Sequence, residues 1–150
     1  MEELNINPLD ATLSGWLKVE FIDVDLVADT ILTADGILPR LRNGSSFSAI
    51  HSRSISQSCE SQPGNAYLHN ITILLPCRAM HHDITFNSMT HRRFILRLTD
   101  NNHQRFIAGC KEDPLHFSFS NADNGNPADG AAYTITFSGL SRLPLLPDRY

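Results

Sequence analysis

Along much of this chain, apolar and polar side chains alternate with a period of two. Leu17, Val19 and Phe21 alternate with Lys18 and Glu20, the pattern of a strand with one buried face. After Phe21 the pattern slips, because Ile22, Val24 and Leu26 now alternate with Asp23 and Asp25. A slip of one residue carries the apolar set to the opposite face, so it predicts a bulge or bend near Phe21-Ile22. Residues 27–38 continue with β-branched side chains, and Asp35-Gly36 is their turn signal. Residues 66–75, with Tyr67, Ile71, Thr72 and Ile73, read as a central strand. Phe94, Leu96 and Leu98 alternate with Arg93, Ile95, Arg97 and Thr99 in another strand. Asp100-Asn101-Asn102-His103 supplies a turn that tolerates left-handed backbone, and Phe106 and Ala108 return as a hairpin. Leu115, Phe117 and Phe119, then Tyr133, Ile135 and Phe137, alternate with polar residues on either side of a polar loop at 121–130. Between 78 and 91 helix and strand both remain open, with Ile84-Thr85-Phe86 favouring strand.

Two segments depart from this rhythm. Residues 43–65 are crowded with Ser, carry Pro63-Gly64, and hold only scattered apolar residues. They read as a long loop or extended β-excursion, and loops of that length in compact domains are commonly functional. Residues 140–150 hold Leu143, Pro144, Leu145, Leu146 and Pro147, an apolar tail whose prolines exclude a central strand. Docking on a neighbouring subunit or on the chain's own domain would each bury those leucines. On the first option Ser46, Ile50, Ile55, Leu143, Leu145, Leu146 and Tyr150 are the expected subunit contacts.

Together these signals predict one mainly β domain over 1–150: an antiparallel β-sandwich or barrel-like sheet with a long loop and at most one short helix. Composition agrees. With 150 residues, 41% hydrophobic and 19% charged, the chain is large enough for one core and too apolar for wholesale disorder. The net charge of −4 weakens the case for a nucleic-acid binder. The acidic start, Met1-Glu2-Glu3, and the lack of a long apolar run lead to the expectation of a chain made in the cytoplasm without membrane contact. Cys59, Cys77 and Cys110 are too far apart to signal a disulfide framework or a thiolate metal site.

Candidate chemistry is sparse. Adjacent His81 and His82 on a strand would point to opposite faces, so with Asp83 and His91 they do not make a metal site, and no cofactor is expected. A small hydrolase using His81 or His82 with Asp83 is the weakest reading, and no catalytic residue is assigned. Asp23 and Asp25 fall on one face of a predicted strand, and Arg92, Arg93, Arg97 and Arg105 converge on the predicted hairpin. The expectation is charge pairing between subunits, Asp23 and Asp25 against Arg93 and Arg97. An alternative is a carbohydrate-binding or adhesin-type module with Trp16, Tyr67 or Tyr133 as a stacking platform.

The runs Arg93-Phe94-Ile95-Leu96-Arg97-Leu98-Thr99-Asp100-Asn101-Asn102, Phe106-Ile107-Ala108-Gly109 with Pro114-Leu115-His116-Phe117, and Tyr133-Thr134-Ile135-Thr136-Phe137-Ser138-Gly139 resemble small structural proteins from the tail-gene regions of Bacteroides-type phages and prophages. The resemblance covers roughly the last 60 residues. It departs at His103, where a Gly is more usual, and in the Ser-rich stretch at 43–65. It implies a virion component, made in the host cytoplasm, that assembles with copies of itself into a tail or neck ring, tube or connector. Other tail or neck proteins would be its partners, and nucleic acid would meet it only by passing through a lumen.

Overall fold

A computed structural model describes residues 15–52, 54–75, 80–123 and 131–149. Eleven strands and one helix follow in order: β1 (Trp16–Asp23), β2 (Val27–Thr33), β3 (Gly36–Leu41), β4 (Ser48–Ile50), β5 (Ser54–Gln62), β6 (Ala66–Leu75), α1 (Met80–Met89), β7 (Arg93–Asp100), β8 (Arg105–Ala108), β9 (Leu115–Asp123), β10 (Ala131–Ser141) and β11 (Leu146–Pro147). Nine strands form one antiparallel sheet that forks at β7, and β2 with β3 makes a separate hairpin. One edge of β7 pairs with β1. Its other edge pairs first with β9, through Arg93 and Phe94, and then with β8 from Leu96 to Thr99. The fork yields two branches, β9-β10-β6-β5 and β4-β1-β7-β8-β11, and the strand path ends at β5 and β11 without closing into a barrel.

The main core lies between the branches. Val19, Phe94, Leu96 and Leu98 meet Ile71, Ile73, Leu115, Phe117, Tyr133, Ile135 and Phe137 there, with Phe86 and Met89 of α1 packed among them. A second cluster covers the opposite face of β1, β7 and β8. It contains Ile22, Val27, Ile37, Ile95, Ile107 and Cys110, with the β2–β3 hairpin supplying the cover. β7 is therefore buried on both faces: Phe94, Leu96 and Leu98 enter the first cluster and Ile95 the second.

That double burial corrects the reading of the slip at Phe21-Ile22. β1 pairs with β7 in continuous register from Lys18 to Asp23, and its irregularity falls at Trp16 to Lys18. Phe21 packs against the first cluster and Ile22 within the second, so both halves of the slipped pattern are satisfied by one straight strand. The chain then turns through a 3-10 segment, Val24–Leu26.

Three further readings are settled. Of the two alternatives for 43–65, loop or extended β-excursion, the second holds for most of it: β4 pairs with β1, and β5 pairs with β6 from Ser54 to Gln62, the hairpin turning at Pro63-Gly64-Asn65 with left-handed Gly64 and Asn65. Strand propensity favoured Ile84-Thr85-Phe86, yet the segment is helical, because Phe86 and Met89, three residues apart, share one buried face while Ile84 is exposed. The tail is not a free arm. β10 runs on to Ser141, β11 pairs with Ile107 and Phe106 of β8, and Pro147 occupies an edge strand. The turn at 100–104 is as expected, with Asp100 Oδ1 accepting from the N–H groups of Asn102 and Gln104 and His103 held left-handed at φ 61°.

Candidate functional site

Two features stand out once side chains are placed on this frame. The first is the outer face of β9-β10-β6-β5. Cross-strand register aligns Ser56, Thr72, Thr136 and Ser118 in one row, with Ser54, Leu74, Thr134 and Ser120 on one side of it and Ser58, Asn70, Ser138 and His116 on the other. These side chains are exposed or half-buried, and the face they form is rich in hydroxyls and free of carboxylates and ammonium or guanidinium groups across the three rows. At one border lies β5, whose only strand partner among the described residues is β6; at the other, β9 beyond His116 pairs only with β10 among the described residues. The sequence signal was present: Ser54, Ser56 and Ser58 alternate with Ile55, Gln57 and Cys59, and that alternation matches the exposure along β5. The low apolar content concealed it.

The second feature is the seat of the tail, built around a mostly buried ion network on the second face of β1 and β7. Arg97 donates to Glu20 at 2.5 Å, and Lys18 pairs with the other Glu20 oxygen at 3.0 Å. Arg97 also reaches Asp148 at 3.5 Å, and Arg105 lies 3.8 Å from the same carboxylate, whose side chain has no solvent exposure. The Arg97 guanidinium carbon sits 4.3 Å over the Phe47 ring. Burial alone would push the Glu20 carboxyl up, but hydrogen bonds and charge from Arg97 and Lys18 outweigh it and hold the pKa below its ordinary value. The hollow beside the network, about 290 Å³, is lined by Gln104, Arg105, Phe106, Pro147, Asp148 and Arg149.

The residues expected to meet other subunits are distributed differently. Arg97 is engaged within the chain, so it is not available for pairing with a neighbour. Asp23 caps the 3-10 turn by accepting from the Asp25 N–H and lies 3.7 Å from Arg92; it does not form a carboxylate pair with the exposed Asp25. Arg93 is half-buried, at the β7–β9 junction. Ile50, Ile55 and Leu145 pack on the first cluster, and Leu143 and Leu146 on the second, so these apolar contacts are internal. Ser46 is exposed, and Tyr150 lies outside the described residues. Tyr133 is fully buried and its hydroxyl donates to Asp83 at 2.6 Å, which removes it as a stacking platform and ties α1 to β10. His82 packs on Phe86 and Tyr133, and the side chain of His81 lies outside the description. Trp16 is half-buried, edge-on to Phe106. Among the described residues no three His, Cys, Asp or Glu side chains come together.

Sequence reasoning passed over His69, Glu20 and Asp148. His69 is wholly buried, its Nε2 is 2.9 Å from the Leu143 carbonyl, and its Nδ1 has no hydrogen-bond partner among the described residues. Burial lowers its pKa, and the Leu143 contact offsets only part of that. A folded-state pKa below the unfolded value gives stability that is complete above about pH 6.5 and declines as pH falls toward the folded value. The loss from this group has a ceiling of about 1.4 kcal/mol per pH unit. Urea denaturation between pH 7.5 and 5.5 is expected to show that decline, and His69→Leu to flatten it.

Taken together, the sites define a mainly β, sandwich-like protein with an open strand edge and a C-terminal strand seated by charge. No protein-family model, characterised protein or solved structure matches the chain significantly.

Proposed function

We propose that the protein is a self-assembling virion structural component, a subunit of a phage tail or neck ring or tube. The carrying observation is the four-stranded branch β9-β10-β6-β5 with a strand edge left open at β5. Every pair in that branch is antiparallel, so β9 and β5 run in opposite directions. With an even number of strands, setting β5 of one copy beside β9 of the next continues the antiparallel alternation, and repeated head-to-tail joining closes a ring. β5 has nine residues, no Pro and no Lys or Arg, and its one charged side chain, Glu60, lies near its C-terminal end, so Ser54 to Cys59 carry none of the charges or prolines that discourage edge pairing. Among the described residues nothing covers the hydroxyl-rich face, and the other layers stack on the opposite side, which puts the bulk outside such a ring and the hydroxyls toward its lumen. Assembly thus runs through strand edges, whereas the tail leucines stay with their own core.

Electron microscopy and light scattering of the purified chain test this. Rings or tubes are expected, and the Ser56→Lys/Ser58→Lys double variant is expected to be monomeric with a stability within about 0.5 kcal/mol of the parent, since both positions are exposed. A parent chain that stays monomeric at high concentration would overturn the proposal.

A further inference from the structure

The geometry points to Cys59 and His69 as a two-donor site for a soft monovalent metal ion, Cu(I), held between the Cys59 thiolate and His69 Nδ1 on the inner face of the β5–β6 pair. The two residues are direct cross-strand partners, so their side chains leave the same face of the sheet with Cβ atoms about 4.5–5.5 Å apart. Both donor atoms stand close to the backbone, Sγ one bond from Cβ and Nδ1 two. Across a metal ion with bonds of about 2.0–2.3 Å, a sulfur and a nitrogen lie about 4 Å from each other. Two adjacent strands hold the pair at that scale without a bend in either.

The imidazole is set up for such a bond. Its Nε2 lies 2.9 Å from the Leu143 carbonyl, which can only accept, so Nε2 carries the proton and Nδ1 presents a lone pair. Histidine ligands of metals typically donate their second ring N–H to a carbonyl or carboxylate in this way. Nδ1 is buried and has no hydrogen-bond partner among the described residues; a lone pair left so is costly, and an ion bound there satisfies it. Burial also holds the His69 pKa below its ordinary value, which keeps the ring neutral and able to coordinate at pH 7. On the β10 side the direct partner of His69 is Gly139, and a Cβ there would lie 3.2 Å from Leu115 Cδ2, so that space belongs to an apolar side chain. Cys59 is therefore the one donor side chain directly opposite His69.

The donor set selects the ion. Thiolate favours Cu(I) and Zn(II), and imidazole accepts both. Zn(II) takes four ligands in its closed sites, whereas among the described residues no third His, Cys, Asp or Glu side chain joins this pair. Cu(I), with a closed d shell and a single charge, is stable between two donors in a line. Cys59 is half-buried on β5, at the border of the branch, and His69 is enclosed, so the ion enters past the sulfur. Binding replaces the thiol proton: Cys59–SH and Cu(I) give a copper-bound thiolate and one released proton, with no change of oxidation state. The site faces the core and is independent of assembly.

The test is an anaerobic titration of the full-length Cys77→Ser/Cys110→Ala chain with Cu(I) in competition with a chromophoric Cu(I) chelator. One equivalent is expected to bind, with a thiolate-to-copper absorption in the ultraviolet. Affinity is expected to fall by about tenfold or more in Cys59→Ser and again in His69→Leu, each made in that background. No stoichiometric binding by the folded chain, or binding that survives either replacement, overturns the site. Should a variant fail to fold, the parent chain with isotopically labelled histidine nitrogens is titrated with Ag(I), a redox-inert stand-in of the same charge. A shifted His69 Nδ1 resonance with Nε2 still protonated supports the site, and an unmoved Nδ1 overturns it.

Discussion

Glu20→Ala is expected to destabilise the chain by about 3–5 kcal/mol, the cost of leaving a buried cation without its partner. The Glu20 side chain is 8% exposed and the Arg97 side chain 12%. Arg97 donates to Glu20, stacks on Phe47 and also reaches Asp148, at a longer distance. Removing the carboxylate strips the nearest counter-charge and a charge-assisted hydrogen bond from a largely shielded site. Its pH dependence has a definite sign. Because the folded-state pKa of Glu20 lies below its ordinary value, the stabilisation is present above the usual carboxyl range, about pH 4.3, and is lost as pH falls through the lowered folded value. Urea denaturation should therefore show a large gap between parent and variant at pH 7 and a smaller one below pH 4. An equal gap at both would mean that packing, and not charge, holds Glu20 in place.

Phe137→Ala is expected to cost a similar amount, about 3–5 kcal/mol, by a different route. Phe137 is fully buried at the centre of β10, with its ring centroid 5.2 Å from Phe117, 5.8 Å from Phe94 and 6.1 Å from Phe21. Those rings come from β9, β7 and β1, so this side chain joins the two branches of the forked sheet. Truncation opens a cavity that rigid strands on both sides cannot fill, and the edge-to-face contacts are lost with it. The adjacent Ser138→Ala, on the outer face, is expected to stay within about 0.5 kcal/mol. Thermal or denaturant unfolding of the pair checks both, and near-UV circular dichroism reports loosening of the aromatic cluster in Phe137→Ala.

Much of the β architecture was legible from alternation, and the places where it failed share a cause. Leu115, Phe117, Tyr133, Ile135 and Phe137 were read as inward-facing and are buried, because one covered face imposes a period of two. Alternation cannot reveal a second covered face. Ile95 and Arg97 looked solvent-facing on β7, but the β2–β3 hairpin and the tail cover them, and Arg97 becomes an internal partner where a subunit contact was expected. Asp23 and Asp25 seemed a pair only while the strand was taken to continue; it ends at Asp23, which caps the turn. In 78–91, two burial anchors on one helical face outweighed local β preference.

The candidate site was less legible than the fold. Ser54, Ser56 and Ser58 carried a strand pattern, but their joining with Thr72, Thr136 and Ser118 into one exposed face depends on register across four strands. Ile50, Ile55, Leu143, Leu145 and Leu146 were expected to contact neighbouring subunits, and they pack on their own core.

By itself the sequence determined the mainly β class, the principal turns and the inward face of each well-patterned strand, since these follow from backbone geometry and the next few neighbours. Only the tertiary structure decided that the sheet forks at β7, that β5 stands at an open edge, and that Asp148 closes a charge network begun at Lys18 and Glu20. The physical reason is separation along the chain: Glu20 and Arg97 are 77 residues apart, and no local pattern encodes which distant strand will bring a counter-charge.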